Sequence, residues 1–322
     1  MTTLGKRFGV AAIAVFATAL LAFAATIAMP AEAQAKTASY KVLYQFNNGA
    51  DVSTMNLGKQ KVGKYYFTWK DPKLAKTVAE SGLAKYSTKK SKGYKKIANN
   101  TMSGIVTNGT YAYYIKYSTK GATLYKKTLK SGKTKKVKAL GKTGSYRFGV
   151  ANGKYAYLTR ENIDYMSNTG SVSTYRLNCD TGSVKLVAKN CDLIDAQSGY
   201  AVGFSKVQLF VDTEPVTLYK FNKSGTLKKV KTLTKAGYRT SVSFVGKYVY
   251  YGVYNPAKNT AKLYRATTAG KSVKKIASTK AMGMLAYQNF KSTTCEMWKY
   301  TDRVKIYKVT YKTGKTKFSR NL

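Results

Sequence analysis

Histidine is absent from all 322 residues. Its absence removes the commonest general base, every Ser-His or Cys-His nucleophile pair, and the imidazole that would complete a mixed zinc site. Acids are scarce as well: 13 Asp and Glu stand against 57 Lys and Arg, a formal net charge of +44. The three cysteines, Cys179, Cys191 and Cys295, form no disulfide framework and no zinc spacing. In an exported chain they allow one oxidised pair with one thiol left over. No helical periodicity runs through residues 36–322, and the chain has only 4 Pro. None of the acids follows the Asp-x-Asp-x-Asp-Gly spacing of a calcium loop, so no metal or cofactor is expected.

Beyond these absences, the first residues carry an export address. Lys6 and Arg7 precede an apolar run from Val10 to Met29, followed by Ala31-Glu32-Ala33 and Ala33-Gln34-Ala35. This is the three-part layout of a secretory signal peptide, so residues 1–35 are read as signal and 36–322 as a single mature domain. The run is long enough to span a bilayer, which makes a retained anchor the alternative. Small-residue sites directly behind it favour cleavage. The expectation is a secreted or loosely cell-wall-associated protein with no transmembrane segment after signal removal.

A repeat organises the rest. An aromatic-basic anchor recurs at Tyr125-Lys126, Tyr175-Arg176, Tyr219-Lys220, Tyr264-Arg265 and Tyr307-Lys308, with a weaker copy at Lys85-Tyr86. Each is followed within about seven residues by a glycine: Gly93, Gly132, Gly182, Gly225, Gly270 and Gly314. Strand, glycine turn, strand describes a hairpin. Upstream lie glycine-led segments with alternating tyrosines, such as Gly109-Thr110-Tyr111-Ala112-Tyr113 and Gly246-Lys247-Tyr248-Val249-Tyr250, each preceded by a short apolar piece. Four strands per unit at 39 to 50 residues is the spacing of propeller blades. The fold expected is all-β, a β-propeller of six blades of about four antiparallel strands; the irregular region 190–216 leaves seven open. This pattern resembles secreted, uncharacterised propeller domains of Gram-positive bacteria. Those are similar to the six-bladed low-density-lipoprotein-receptor and TolB-like propellers. The resemblance implies a fold and no function. The strand-like Tyr40–Phe46 is expected to pair with the last blade and close the ring.

The charge is the main functional hint. With 49 of the 57 basic residues Lys, the chain presents hydrated point charges rather than planar forks. Such a field draws polyanions with strong salt dependence and little stereochemical discrimination. Many lysines fall on the fourth strand, where they also block edge-to-edge aggregation. That role does not explain why compensating acids are missing. Most of the 28 tyrosines read as blade core with the hydroxyl directed to an edge. Loops between second and third strands, at 68–82, 115–122, 158–172 and 253–262, share one face and supply the candidate ligand residues. These are Trp69, Lys70, Tyr117, Arg160, Tyr165, Tyr254, Trp298 and Lys299, aromatic and cationic groups able to stack on a sugar or base while pairing its charge. Capping of blade ends is the competing role for them.

Seven acids cluster between Glu161 and Glu214, as a local patch, a calcium site without the usual loop spacing, or neutralising partners for lysines. Glu161 with Asp164 or Glu214 is the one carboxylate set that could hydrolyse a glycosidic bond. The leading expectation is a non-catalytic binding or scaffold module for an anionic polymer: teichoic acid, acidic polysaccharide or extracellular nucleic acid. The alternatives are a depolymerase, lyase or hydrolase, acting on an acidic glycan, and a protein-interaction propeller whose charge serves solubility.

Overall fold

The structure, a computed structural model, describes residues 39–43, 59–69, 83–99, 101, 103–164, 169–205, 215–234, 238–255, 257–280, 285–300 and 303–321. Among these there is no helix; all regular structure is strand. A short strand β1 (Lys41–Leu43) precedes six antiparallel sheets. Sheet 1 holds β2 (Gln60–Val62), β3 (Tyr65–Trp69), β4 (Ala84–Ser87) and β5 (Lys95–Ala98). Sheet 2 holds β6 (Ile105–Thr107), β7 (Tyr111–Ser118), β8 (Gly121–Thr128) and β9 (Thr134–Gly141). Sheet 3 holds β10 (Ser145–Asn152), β11 (Tyr155–Asp164), β12 (Thr169–Asn178) and β13 (Val184–Lys189). Sheet 4 holds β14 (Cys191–Gln197), β15 (Tyr200–Ser205), β16 (Val216–Phe221) and β17 (Leu227–Thr232). Sheet 5 holds β18 (Tyr238–Val245), β19 (Tyr248–Asn255), β20 (Thr260–Thr267) and β21 (Lys274–Lys280). Sheet 6 holds β22 (Leu285–Gln288), β23 (Thr294–Tyr300), β24 (Val304–Thr310) and β25 (Thr316–Asn321). Strand order follows the chain within every sheet.

The repeat glycines do what their position requires. Gly132, Gly182, Gly225, Gly270 and Gly314 close the turn between third and fourth strands at φ between 69° and 78°, where a side chain would be strained. The third and fourth strands are also bulged in every sheet. In five of the six the bulge falls immediately before the anchor tyrosine: Leu124/Tyr125, Thr174/Tyr175, Leu218/Tyr219, Leu263/Tyr264 and Ile306/Tyr307. A bulge steepens the local twist and re-aims the residues after it.

Each interface between consecutive sheets has its own apolar cluster. Phe67 with Ile105 and Tyr114, Tyr113 with Phe148 and Leu158, and Tyr157 with Leu193 and Phe221 fill the first three. Leu218 with Val249 and Tyr251, and Leu263 with Tyr287 and Met297, fill the next two. First strands of neighbouring sheets contact one another, as β10 does β14 and β14 does β18. Fourth strands carry mostly exposed residues, wholly so in β25. First strands are therefore innermost and fourth strands outermost.

Tyrosine hydroxyls stitch these interfaces. Tyr86 Oη donates to the Leu129 carbonyl at 3.0 Å, Tyr113 Oη to that of Cys179, and Tyr157 Oη to that of Gly225 at 2.7 Å. In each case a tyrosine of one sheet satisfies a carbonyl in the outer turn of the next. The buried hydroxyl thus has its partner, as burial of a polar group demands.

The expected closing strand behaves differently from its prediction. β1 pairs antiparallel with β6 of sheet 2, Val42 opposite Val106, and not with the last sheet. The inner edge of β6 is free to accept it. Tyr40 then enters the interface of sheets 2 and 3, its N–H donating to the Gly153 carbonyl at 3.0 Å and its ring edge-on to Tyr113. Residues 44–46 lie outside the described residues.

Candidate functional site

Of the eight residues singled out in the sequence, the six described ones do not gather into one site. Trp69 is buried between sheets 1 and 2, its Nε1 donating to Thr101 Oγ1 at 2.9 Å. Trp298 is wholly buried, its Nε1 donating to Glu296 Oε2 at 2.8 Å. Tyr254 is buried between sheets 5 and 6 and its hydroxyl donates to Asn259 Oδ1 at 3.2 Å. Lys299 is half-buried on β23, while Lys70 and Tyr165 lie outside the described residues. Tyr117 and Arg160 are the two that meet, both on Tyr146. The Tyr117 hydroxyl donates to the Tyr146 carbonyl and accepts from its N–H, each at 2.7 Å, and the Arg160 guanidinium lies 5.8 Å from the Tyr146 ring. The Tyr117 hydroxyl is thus engaged within the protein, and an Arg160 terminal nitrogen donates to Thr143 Oγ1 at 2.9 Å, while its buried Nε has no hydrogen-bond partner among the described residues.

Glu161, Asp192, Asp195 and Glu296 are likewise engaged. Arg147 on β10 bridges Glu161 of its own sheet at 3.4 Å and Asp192 of the next, and Thr159 Oγ1 donates to Asp192 Oδ1 at 2.9 Å. Asp195 accepts from the Phe244 N–H and Ser243 Oγ of sheet 5, both at 2.8 Å. Burial nonetheless pushes its carboxyl above the ordinary range, against the pull of those bonds. Glu296 moves the other way. Burial raises it, but donors from Asn289 and Trp298 and the Arg320 charge outweigh that and hold it low. Of the described clefts, the roomiest is about 400 Å³ on sheet 6, with Glu296 as its one carboxylate. No facing pair of acids opens onto it. Among the described residues no group of three or more Cys, Asp or Glu could hold a metal ion. Cys179, Cys191 and Cys295 are buried free thiols in three separate interfaces, so no pair of them is bridged.

Lysines have almost no acids to meet. Among the described residues Lys154 is the one lysine within ion-pair distance of a carboxylate, 3.9 Å from Asp180. Instead, in sheets 2 to 5 the cation that follows the anchor tyrosine lies over a second-strand ring. Lys126 Nζ stands 3.8 Å from the Tyr111 centroid, Arg176 5.0 Å from Tyr155, Lys220 5.9 Å from Tyr200 and Arg265 4.4 Å from Tyr248. On the other side each meets a fourth-strand lysine in register: Lys126 opposite Lys135, Arg176 opposite Lys185, Lys220 opposite Lys228, Arg265 opposite Lys274. Burial lowers the proton affinity of Lys126, and the Lys135 charge adds to the fall. Reading the sequence for loop aromatics missed this set. Its signal was the basic residue of the repeat anchor itself.

No family model and no curated protein sequence matches the chain. Among solved structures it is similar to an oligogalacturonate lyase in complex with manganese, with a TM-score of 0.50 and 13% identity over 73% of this chain and 69% of that one. The fold shared with it is a β-propeller. TolB from Acinetobacter baumannii matches at a TM-score of 0.42 and 12% identity over 89% of this chain, which spans 65% of the length of that TolB. An uncharacterised protein from Listeria monocytogenes EGD-e matches at a TM-score of 0.48 and 10% identity, covering 88% of this chain and 83% of that one. At these identities the likeness is one of fold.

Proposed function

We propose that the mature chain is a secreted, six-bladed propeller that binds an anionic polymer of the cell wall or extracellular space and catalyses nothing. The six sheets are its blades, and the complete burial of Trp298 and Ile306, on the face of sheet 6 turned away from sheet 5, supports closure of the ring. One observation carries the binding reading: a chain of net charge +44 leaves its described lysines, Lys154 excepted, without carboxylate partners. A surface shaped only by solubility would mix signs. Uncompensated cations raise the local concentration of polyanions and release their counterions on binding.

Titration of purified protein with a teichoic acid, a heparin-like glycan and DNA across a salt series tests this. The expected result is log affinity falling linearly with log salt for at least one of them. Affinity that stays flat with salt overturns the electrostatic mechanism, and shortened polymer chains among the products overturn the non-catalytic assignment.

A further inference from the structure

The anchor cations pose an energetic question that edge protection does not answer. Neighbouring strands lie about 4.8 Å apart. Like charges directly opposite across a strand pair are destabilising. One lysine per outer edge suffices to block aggregation, and an acid on the third strand would then pair with it. In sheets 2 to 5 the third strand carries a second cation at that rung instead.

The tyrosines beneath explain how that cation is held. A ring face attracts a cation without cancelling its charge. A carboxylate would hold it equally well and neutralise it. Sheet 6 differs: Glu296 stands where the others place tyrosine, in register with Lys308, but its carboxylate is engaged by Arg320, Asn289 and Trp298. Sheet 1 has Ser87, opposite Tyr66, in place of the cation. Lys85 opposite Lys96 and Lys308 opposite Lys317 are also two-cation rungs, but among the described residues an anchor cation held on a second-strand ring and facing a fourth-strand lysine occurs in four consecutive sheets, 2 to 5. Asp180, in the outer turn of sheet 3, is the acid acting on Lys126, and it is shared with Lys154.

Resting on the polyanion reading above, we infer that the outer strands of sheets 2 to 5 form a binding track for a polymer with a phosphodiester backbone, one two-cation rung per sheet. The chemistry of the rung selects the ligand. Tyr111, Tyr155, Tyr200 and Tyr248 already carry the protein's own cations, so these faces are not offered to sugars or bases. Recognition is left to charge alone. All four fourth-strand positions are Lys, a point charge that meets a phosphate oxygen from any direction. Two cations about one strand spacing apart can share the non-bridging oxygens of one phosphate.

The test compares two variants of equal charge. One carries Lys135→Gln, Lys185→Gln, Lys228→Gln and Lys274→Gln; the other carries Lys90→Gln, Lys120→Gln, Lys142→Gln and Lys312→Gln. All eight side chains are exposed. Probes are poly(glycerol phosphate) and single-stranded DNA, the two phosphodiester sources, with polygalacturonate as the carboxylate polymer. Each lost contact removes about 0.7 from the slope of log affinity against log salt. The track variant should therefore lose about 3 in slope and about 600-fold in affinity at 0.1 M salt, the second variant less than a third of that slope. Whichever phosphodiester shows the difference names the source. Because the rung is repulsive, the track variant's unliganded melting temperature should hold or rise; a fall overturns the energetic argument. Equal losses in the two variants overturn the track and leave the polyanion reading standing. Polygalacturonate bound as tightly as the phosphodiesters overturns the phosphate assignment. No binding of the unaltered protein to any probe overturns both.

Discussion

Three glycines in equivalent turns separate backbone strain from packing between sheets. Gly132 and Gly225 both sit at φ +74° and Gly314 at +69°, so alanine at each suffers the same left-handed strain of about 1–2 kcal/mol. Their surroundings differ. A Cβ on Gly132 would meet nothing within 4 Å, whereas one on Gly225 would come within 2.7 Å of the Tyr155 ring and 2.8 Å of Arg176 Cδ in the preceding sheet. On Gly314 it would fall 2.3 Å from the Ile276 carbonyl oxygen, a backbone atom that no rotamer change can move. Overpacking adds about 1–3 kcal/mol where side chains must shift, so Gly225→Ala should cost about 2–5 kcal/mol and Gly314→Ala at least as much. At about 2 °C per kcal/mol for a domain of this size, Gly132→Ala should melt roughly 2–4 °C low and Gly225→Ala roughly 4–10 °C low. Scanning calorimetry on the three variants reads the order directly. Equal losses at all three positions would mean that the outer turns do not pack against the sheet before them, and the description of the sheet interfaces would fall with that result.

Two further outcomes follow from the buried groups. The three thiols should be silent to a maleimide probe in native protein at pH 8 and all appear on unfolding, since burial raises each of them, Cys295 to about 12; a disulfide, or a thiol reactive in the native state, refutes this. Glu296 has its folded pKa held below the ordinary 4.5, so its contribution is complete above that value and lost as pH falls through the lower one. Glu296→Gln should therefore melt below the unaltered protein at pH 6–7 and converge with it in strong acid; a gap independent of pH argues against the assignment.

Local pattern made the hairpins legible, because a left-handed turn selects glycine at a fixed distance from an aromatic-basic anchor. The fourth sheet hid from the same pattern. Its inner turn is Ser198-Gly199, with both residues at positive φ, so glycine takes the second turn position rather than the first as in Gly153-Lys154. That one-residue displacement removes the Gly-x-Tyr signature, although the turn still joins Gln197 to Tyr200. Relations across sheet interfaces were not legible, since they join residues more than 30 positions apart. Trp69 and Thr101 are one such case, and Lys126 with the sheet 3 turn at Asp180 another. Tryptophan near a loop looks available to a ligand in sequence. In the fold both rings lie under cover, and their N–H groups have protein acceptors. The partner of β1 was misread for a related reason: an alternating strand announces that it will pair, while the free edge it finds depends on the three-dimensional order of sheets.

Leaving so many ammonium groups unpaired is less damaging to the fold than the charge count suggests. An exposed ion pair contributes about 0–1 kcal/mol, so omitting acids from the outer strands forfeits little pairing energy at each position. The larger penalty is collective, through self-repulsion of a strongly cationic body. Placing the excess on fourth strands keeps it at the periphery, where screening within about 8–10 Å at physiological salt is most effective. Tyrosine beneath the third-strand cations then restrains them while leaving the charge intact. A protein arranged for stability alone would have set a carboxylate beside each of these cations. The use of tyrosine for the anchor cation in four consecutive sheets is therefore the feature that separates a cationic surface kept for binding from one merely tolerated.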